Sequence, residues 1–359
     1  MRFIKRAVLF VLIIIAVLVV IGSQNKKESS KESSKEPSLV ESSLAKTRPK
    51  AADCPSTFKV GYKILKISGG PKTAIWYPTL DAEKQYTYYG NYSSKVSRDG
   101  KLETGCRRFP LVVFSHGFFG CGIQSIFITE ELARHGYIVA APDHKDALCS
   151  IDGGAPTFSS ANEPSLFDPT KWTEATYIDR KNDVQKVIDT LTRDSNFGKQ
   201  ISKVGLAGHS LGGYKALGLA GGCSSWKDSR IAAALLLSPY SLPFSFNKTL
   251  KSVRVPLMYQ GADFDLGITP FIEGVSGAYS QSNAPKYFVK LRAGNHFIWT
   301  DLECSANNYK TIPDCLKSDT TAKLINQYAI AFLDKYLKGI NSPLLKKSST
   351  SLSTYQYSP

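Results

Sequence analysis

Neither a Cys-x-x-Cys step nor a paired-histidine spacing occurs anywhere in the 359 residues, which removes the ligand pattern of a zinc site. No metal or cofactor is expected. Nor does any apolar run reach the roughly 20 residues of a comfortable membrane span. The longest, Ala7 to Gly22, has 16. No nucleic-acid recognition motif is present either. The formal charge of +15 would invite that partner, but +6 of it falls in residues 1–50 and +2 in 341–359, leaving +7 on the body. Such a surface is mildly basic, suits anionic membranes or substrates slightly, and needs no nucleic acid. A composition near the globular average, 42% hydrophobic and 21% charged, excludes wholesale disorder and collagen-like repeats.

What is present begins with a basic start, Arg2, Lys5 and Arg6, ahead of that apolar run. Residues 1–22 therefore have the layout of a signal peptide or an uncleaved signal-anchor. No clean A-x-A step follows, and no cysteine stands where a lipid anchor would need one. Either outcome exports the body: anchored and facing the periplasm or extracellular side, or secreted if the signal is cleaved. Residues 23–51 repeat Lys-Glu-Ser-Ser and hold almost nothing apolar, so they read as a disordered polar linker. The folded domain is expected over 52–340, and the polar tail 341–359 is expected to be flexible.

Seven cysteines in an exported chain suggest disulfides with one thiol left over. Cys304 and Cys315 bracket one loop and make the best local pair. Cys54–Cys106 and Cys121–Cys149 are the remaining guesses, which leaves Cys223 as a buried thiol.

Short apolar runs alternate with helical patterns along the body. Strands are expected at 58–65, 73–77, 111–115, 137–141, 203–207, 231–237, 255–260 and 286–291, and helices at 125–135, 171–193, 210–219 and 320–337. Runs such as PLVVFS and GYIVAAPD are apolar throughout, as strands covered on both faces require. The alternation predicts an α/β fold with a mostly parallel, doubly wound sheet and helices on both faces. In such sheets the chemistry gathers at the carboxyl ends of the strands.

One such end reads Gly208-His209-Ser210-Leu211-Gly212, between an apolar strand and a helix. A G-x-S-x-G in that context raises the serine on a sharp turn, and its flanking glycines keep the turn free of collision. Ser210 is the candidate nucleophile. Of the five histidines, His116 and His209 lie in motif turns, His135 ends a helix, and His144 follows Pro-Asp after a strand. His296 follows the last predicted strand, downstream of the serine, where a general base belongs. The acid should come from the preceding loop, which offers Asp263 and Asp265. Asp301, five residues past His296, reads as a surface or helix-start residue. Ser115-His116-Gly117-Phe118 after strand LVVFS would aim the Phe118 amide beside the Leu211 amide as an oxyanion hole. Phe118, Phe119, Phe297 and Trp299 could line a substrate pocket or be ordinary core.

These residues resemble the α/β-hydrolase superfamily, and more closely the platelet-activating-factor acetylhydrolases and the predicted dienelactone hydrolase-like serine esterases. The resemblance runs over about residues 56–340, through TAIWYPT, PLVVFSHGFFG, GLAGHSLGGYKAL, MYQGADFDLGITPF and AGNHFIWTDL. It implies that Asp265, the aspartate nearer Gly-Ile-Thr-Pro, is the acid rather than Asp263. In the acetylhydrolases the acid follows an earlier strand; the matching LLLSPYSLPF here has no carboxylate. The implied function is an exported or membrane-tethered serine ester hydrolase acting through a Ser-His-Asp triad and an acyl-enzyme. Its substrate would be a small-molecule or lipid ester, with the membrane as a partner if the N-terminal segment stays. The alternative is a non-catalytic hydrolase-fold scaffold or adhesion module on a membrane tether. The loop 149–169 is long and polar, not the apolar lid of a true lipase.

Overall fold

The computed structural model describes residues 54–89, 92–156, 158–159 and 163–359. The apolar run 1–22 and the linker 23–51 lie outside the described residues, as do a few positions in the loop after residue 149. Among the described residues, no helix is long and apolar enough to cross a membrane.

Eleven strands form one sheet: β1 Lys59–Lys66, β2 Lys72–Thr79, β3 Lys84–Thr87, β4 Ser93–Arg98, β5 Phe109–Ser115, β6 Ile138–Pro142, β7 Ile201–His209, β8 Ile231–Leu237, β9 Leu257–Ala262, β10 Lys286–Leu291 and β11 Leu352–Ser358. Their order is β11-β10-β9-β8-β7-β5-β6-β2-β1-β4-β3. The six strands from β10 across to β6 run parallel. Antiparallel β2 and β11 flank them. All seven residues of β5 and all five of β6 are buried, as sheets covered on both faces demand. Two apolar layers provide that cover. One packs helix α1 (Ile126–Arg134) and helix Thr320–Leu333 on one face, and the other packs α2 (Ile178–Arg193) and α3 (Leu211–Leu217) on the opposite face.

Three expectations about elements need correction. The helix expected from Lys171 starts only at Ile178, because Thr173 and Thr176 turn the chain with side-chain hydrogen bonds and Tyr177 takes a left-handed φ of 52°. The tail is not loose. Leu352–Ser358 pairs antiparallel with β10, and the Tyr357 and Tyr287 rings stack at 6.0 Å. A run of serines and tyrosines reads as polar, yet it is what closes the open edge of a sheet. The folded body thus extends beyond 340. β3 and β4, too short and polar to stand out in sequence, extend the opposite edge.

Cys121–Cys149 and Cys304–Cys315 are disulfides. Cys54 and Cys106 are not joined and remain thiols, with Cys223 buried. Burial, and then the neighbouring Cys54, push the Cys106 thiol up to about 12.

Candidate active site

The carboxyl ends of five parallel strands deliver the candidate residues: β5 leads to His116–Phe119, β7 to Ser210, β8 to Ser238, β9 to Asp265 and β10 to His296. Ser210 stands between β7 and α3 with φ 53° and ψ −116°, a conformation an L-residue adopts only when its surroundings impose it. Those surroundings are tight. A Cβ on Gly208 would run into the Gly212 backbone, and one on Gly212 would run into the Ser115 carbonyl. Both glycines of the motif are therefore required by close approach of backbone to backbone. The Ser210 amide donates to Leu237 O (3.0 Å), and its carbonyl accepts from Tyr240 N (2.9 Å), which ties the turn to the end of β8.

His296 Nδ1 donates to Asp265 Oδ1 at 2.9 Å, leaving Nε2 as the basic nitrogen of the ring. Asp265 is 2% exposed, and its other oxygen is also held. Oδ2 accepts from Ser238 Oγ (2.5 Å) and from Thr269 Oγ1 (2.9 Å). Ser238 Oγ in turn lies 2.9 Å from His296 Nδ1 and accepts from it. Ser238 is fully buried and has a φ of 44°, a second strained serine at a strand end. Asp263 is elsewhere: it accepts from Ser353 Oγ (2.6 Å) and Ala293 N (3.2 Å) and faces Lys290 at 3.6 Å. Of the two aspartates, only Asp265 meets the imidazole.

No hydrogen bond joins the Ser210 hydroxyl to His296 among the described residues, a common feature of ligand-free sites. The two are brought together through the residue before the serine. His209 Nε2 donates to the His296 carbonyl at 2.9 Å, and the two rings lie 4.8 Å apart. His209 Nδ1 accepts from Gln124 Nε2 (3.1 Å), while Gln124 Oε1 accepts from Gly117 N (2.9 Å). One glutamine thus couples the turn that carries Ser210 to the loop after β5. Burial holds His209 well below the usual imidazole range, with the nearby His296 adding to that effect, so the ring stays neutral in this role.

The pocket candidates divide. Phe118 and Phe119 stack at 3.8 Å and are partly exposed, and Phe297 is 39% exposed with its ring 5.7 Å from His296. Trp299 has no exposed surface and donates its indole N–H to Gln260 Oε1 (2.9 Å), so it is core and lines no pocket. Asp301 does stand at a helix start, as the N-cap of Leu302–Ala306, but it is not a surface residue. It is 1% exposed, and its carboxylate accepts from Ile126 N (2.8 Å) and Phe127 N (3.1 Å), capping α1 rather than meeting solvent. Sequence reasoning missed Ser238, Thr269 and Gln124. Only Thr269 carried a signal, through its place in the Gly-Ile-Thr-Pro stretch.

The family model for platelet-activating factor acetylhydrolase, isoform II, matches residues 78–188. The platelet-activating factor acetylhydrolase of Cavia porcellus is 24% identical over 295 residues, which cover 69% of this chain and 62% of that protein. This chain thus spans under two thirds of that relative's length. Cutinase 2 of Thermobifida cellulosilytica is 26% identical over 231 residues, 64% of this chain and 69% of the cutinase. Among solved structures, a ferulic acid esterase from Streptomyces cinnamoneus superposes with a TM-score of 0.62 at 21% identity, over 85% of this chain and 97% of that one. With the strand order and the serine turn already described, these likenesses make the chain an α/β-hydrolase-fold protein similar to platelet-activating-factor acetylhydrolases and cutinases.

Proposed function

We propose that the chain is an exported serine ester hydrolase acting on carboxylic esters of short acyl chain. The observation that carries this reading is the His296–Asp265 pair, 2.9 Å apart at two strand ends, with the ring set against the residue preceding the strained Ser210. Ser210 Oγ attacks the ester carbonyl and gives its proton to His296 Nε2. Asp265 fixes the Nδ1–H tautomer and stabilises the imidazolium that forms. The Phe118 and Leu211 amides hold the oxyanion. His296 then protonates the leaving alcohol, and water activated by the same imidazole cleaves the acyl-enzyme.

The names of the relatives, acetylhydrolase, cutinase and ferulic acid esterase, support ester cleavage as the reaction. Short-acyl esters are the first substrate class, and oxidised or short-chain phospholipids the second. The basic, apolar N-terminal segment supports export, with a membrane tether where it is retained.

Labelling with a fluorophosphonate tests the reading. The wild type should be labelled and should hydrolyse p-nitrophenyl butyrate. Ser210→Ala should lose both while keeping its melting temperature within a few degrees, since triad deletions cost about 10⁴-fold or more in turnover. An alanine variant that stays labelled and active would remove Ser210 from the chemistry.

A further inference from the structure

Beneath the loop 116–120 lies Arg180, on the first turn of α2, with no exposed surface. Its guanidinium is used on every edge. Nε and Nη2 grip both oxygens of buried Asp146 at 2.8 and 2.6 Å. Nη1 donates to the His116 carbonyl at 2.6 Å, and Nη2 to the Gly117 carbonyl at 3.0 Å. The Gly117 carbonyl also accepts from His116 Nδ1 (2.7 Å) and Gly120 N (3.1 Å). His116 can donate there because its other nitrogen, Nε2, accepts from His144 N at 3.0 Å. Burial, with Arg180 adding to it, keeps that ring neutral.

These bonds have a consequence for the amide on the far side of the same peptide. In a trans peptide the C=O and N–H point in opposite directions. The Gly117–Phe118 peptide is trans. Three donors draw its carbonyl inward, so its N–H, which belongs to Phe118, is turned outward. That N–H donates to no protein acceptor among the described residues. We infer that Arg180 is the positioning residue of the oxyanion hole: braced by Asp146, it holds the His116 and Gly117 carbonyls and thereby aims the Phe118 amide at the charge that develops on the substrate. This role rests on the serine-hydrolase reading and adds to it a residue 63 and 64 positions along the chain from the two carbonyls it holds. Arginine suits the task because its planar fork presents five donors in fixed directions; lysine, a point charge with rotatable donors, cannot span two carbonyls and a carboxylate together.

The test uses Arg180→Lys, and beside it the double variant Arg180→Met with Asp146→Asn. The second removes both buried charges so that neither is stranded, which keeps the question open to experiment if the lysine variant fails to fold. Four quantities are measured: kcat and KM on a p-nitrophenyl ester, affinity for a trifluoromethyl ketone that adds to the serine and forms an oxyanion, and affinity for the matching methyl ketone, which binds without adding. The expected result is a loss of about 10- to 100-fold in kcat, matched by an equal loss of trifluoromethyl ketone affinity. KM and methyl ketone affinity should stay within about threefold. Folded variants that keep kcat within about threefold would overturn the role, as would a fall in kcat without the parallel loss of the trifluoromethyl ketone. A wild type inert to both the ester and the trifluoromethyl ketone would instead overturn the serine-hydrolase reading beneath it.

Discussion

On the oxyanion side of the site, a guanidinium with no exposed surface holds two backbone carbonyls; on the acid side, two hydroxyls hold one carboxylate. The first arrangement buries a full ion pair, Arg180–Asp146, to fix the direction of a peptide. The second keeps a single charge, Asp265, and surrounds it with neutral donors from Ser238 and Thr269. The difference follows from what each side has to do. A backbone amide can be aimed only through its own peptide plane, which takes strong and directional donors. A carboxylate needs its rotation stopped while its charge stays available to the imidazole, and hydroxyls do that without neutralising it. The two sides should therefore fail differently. Damage to the acid side should act on His296 and proton transfer, and damage to the other side on the oxyanion.

The largest effect should come from the acid itself. Asp265→Asn is expected to lower kcat by roughly 10³–10⁴, since an amide no longer favours the Nδ1–H tautomer. Asp263→Asn should cost less than about tenfold in the same assay, because Asp263 only caps Ala293 and holds Ser353 and Lys290. The reverse ranking would erase the acid side as described.

A smaller effect is expected one contact further out. Ser238→Ala removes the hydroxyl that touches both Asp265 and His296 while keeping the backbone, and should lower kcat by about tenfold. Leaving Asp265 Oδ2 with one partner should also cost about 1–2 kcal/mol of stability in urea titrations. The acid limb of the pH–rate profile should move with Ser238→Ala and stay in place with Arg180→Lys. A shift in both variants, or in neither, would dissolve the distinction between the sides.

The effect with the least bearing on turnover concerns acid stability of the buried ion pair. Burial pushes the Asp146 carboxyl up, but the charge and hydrogen bonds of Arg180 outweigh it and hold the group at about 2. With the folded value below the ordinary 3.8, the unfolded state binds more protons in that window. The stabilisation is thus complete above about pH 4 and is lost as pH falls towards about 2, by an amount on the order of 2 kcal/mol. The Arg180→Met, Asp146→Asn pair should lack this step in urea titrations between those pH values. An identical acid step in the double variant would place its origin in other carboxylates.

How much of this was legible in the sequence depended on range. Gly208, Ser210 and Gly212 could be read because their constraint is local: five consecutive residues make one turn, and the collision that demands glycine lies within it or at the adjoining strand end. The strands β5 to β10 were legible because burial on both faces leaves apolar runs. Ser238 was not legible. A serine after an apolar strand is unremarkable until residues 238, 265 and 296, far apart in the chain, meet at one imidazole. Arg180 was hidden in the same way, as a basic residue on an amphipathic helix, where charge ordinarily faces water. The tail strand was misread because serine, threonine and tyrosine alternate there, and only the free edge of β10 turns that pattern into a strand.

In the proposed mechanism both sides of the site serve one event, the transfer of an acyl group to Ser210, and that event can be looked for directly. The wild type is mixed with p-nitrophenyl acetate, quenched in acid within the first turnovers, digested and read by mass spectrometry. The expected result is an acetyl group on the peptide that carries Ser210, absent from the Ser210→Ala variant and slower to appear in Asp265→Asn. Hydrolysis that proceeds with no acylated Ser210, or with the acetyl group on another residue, would contradict it.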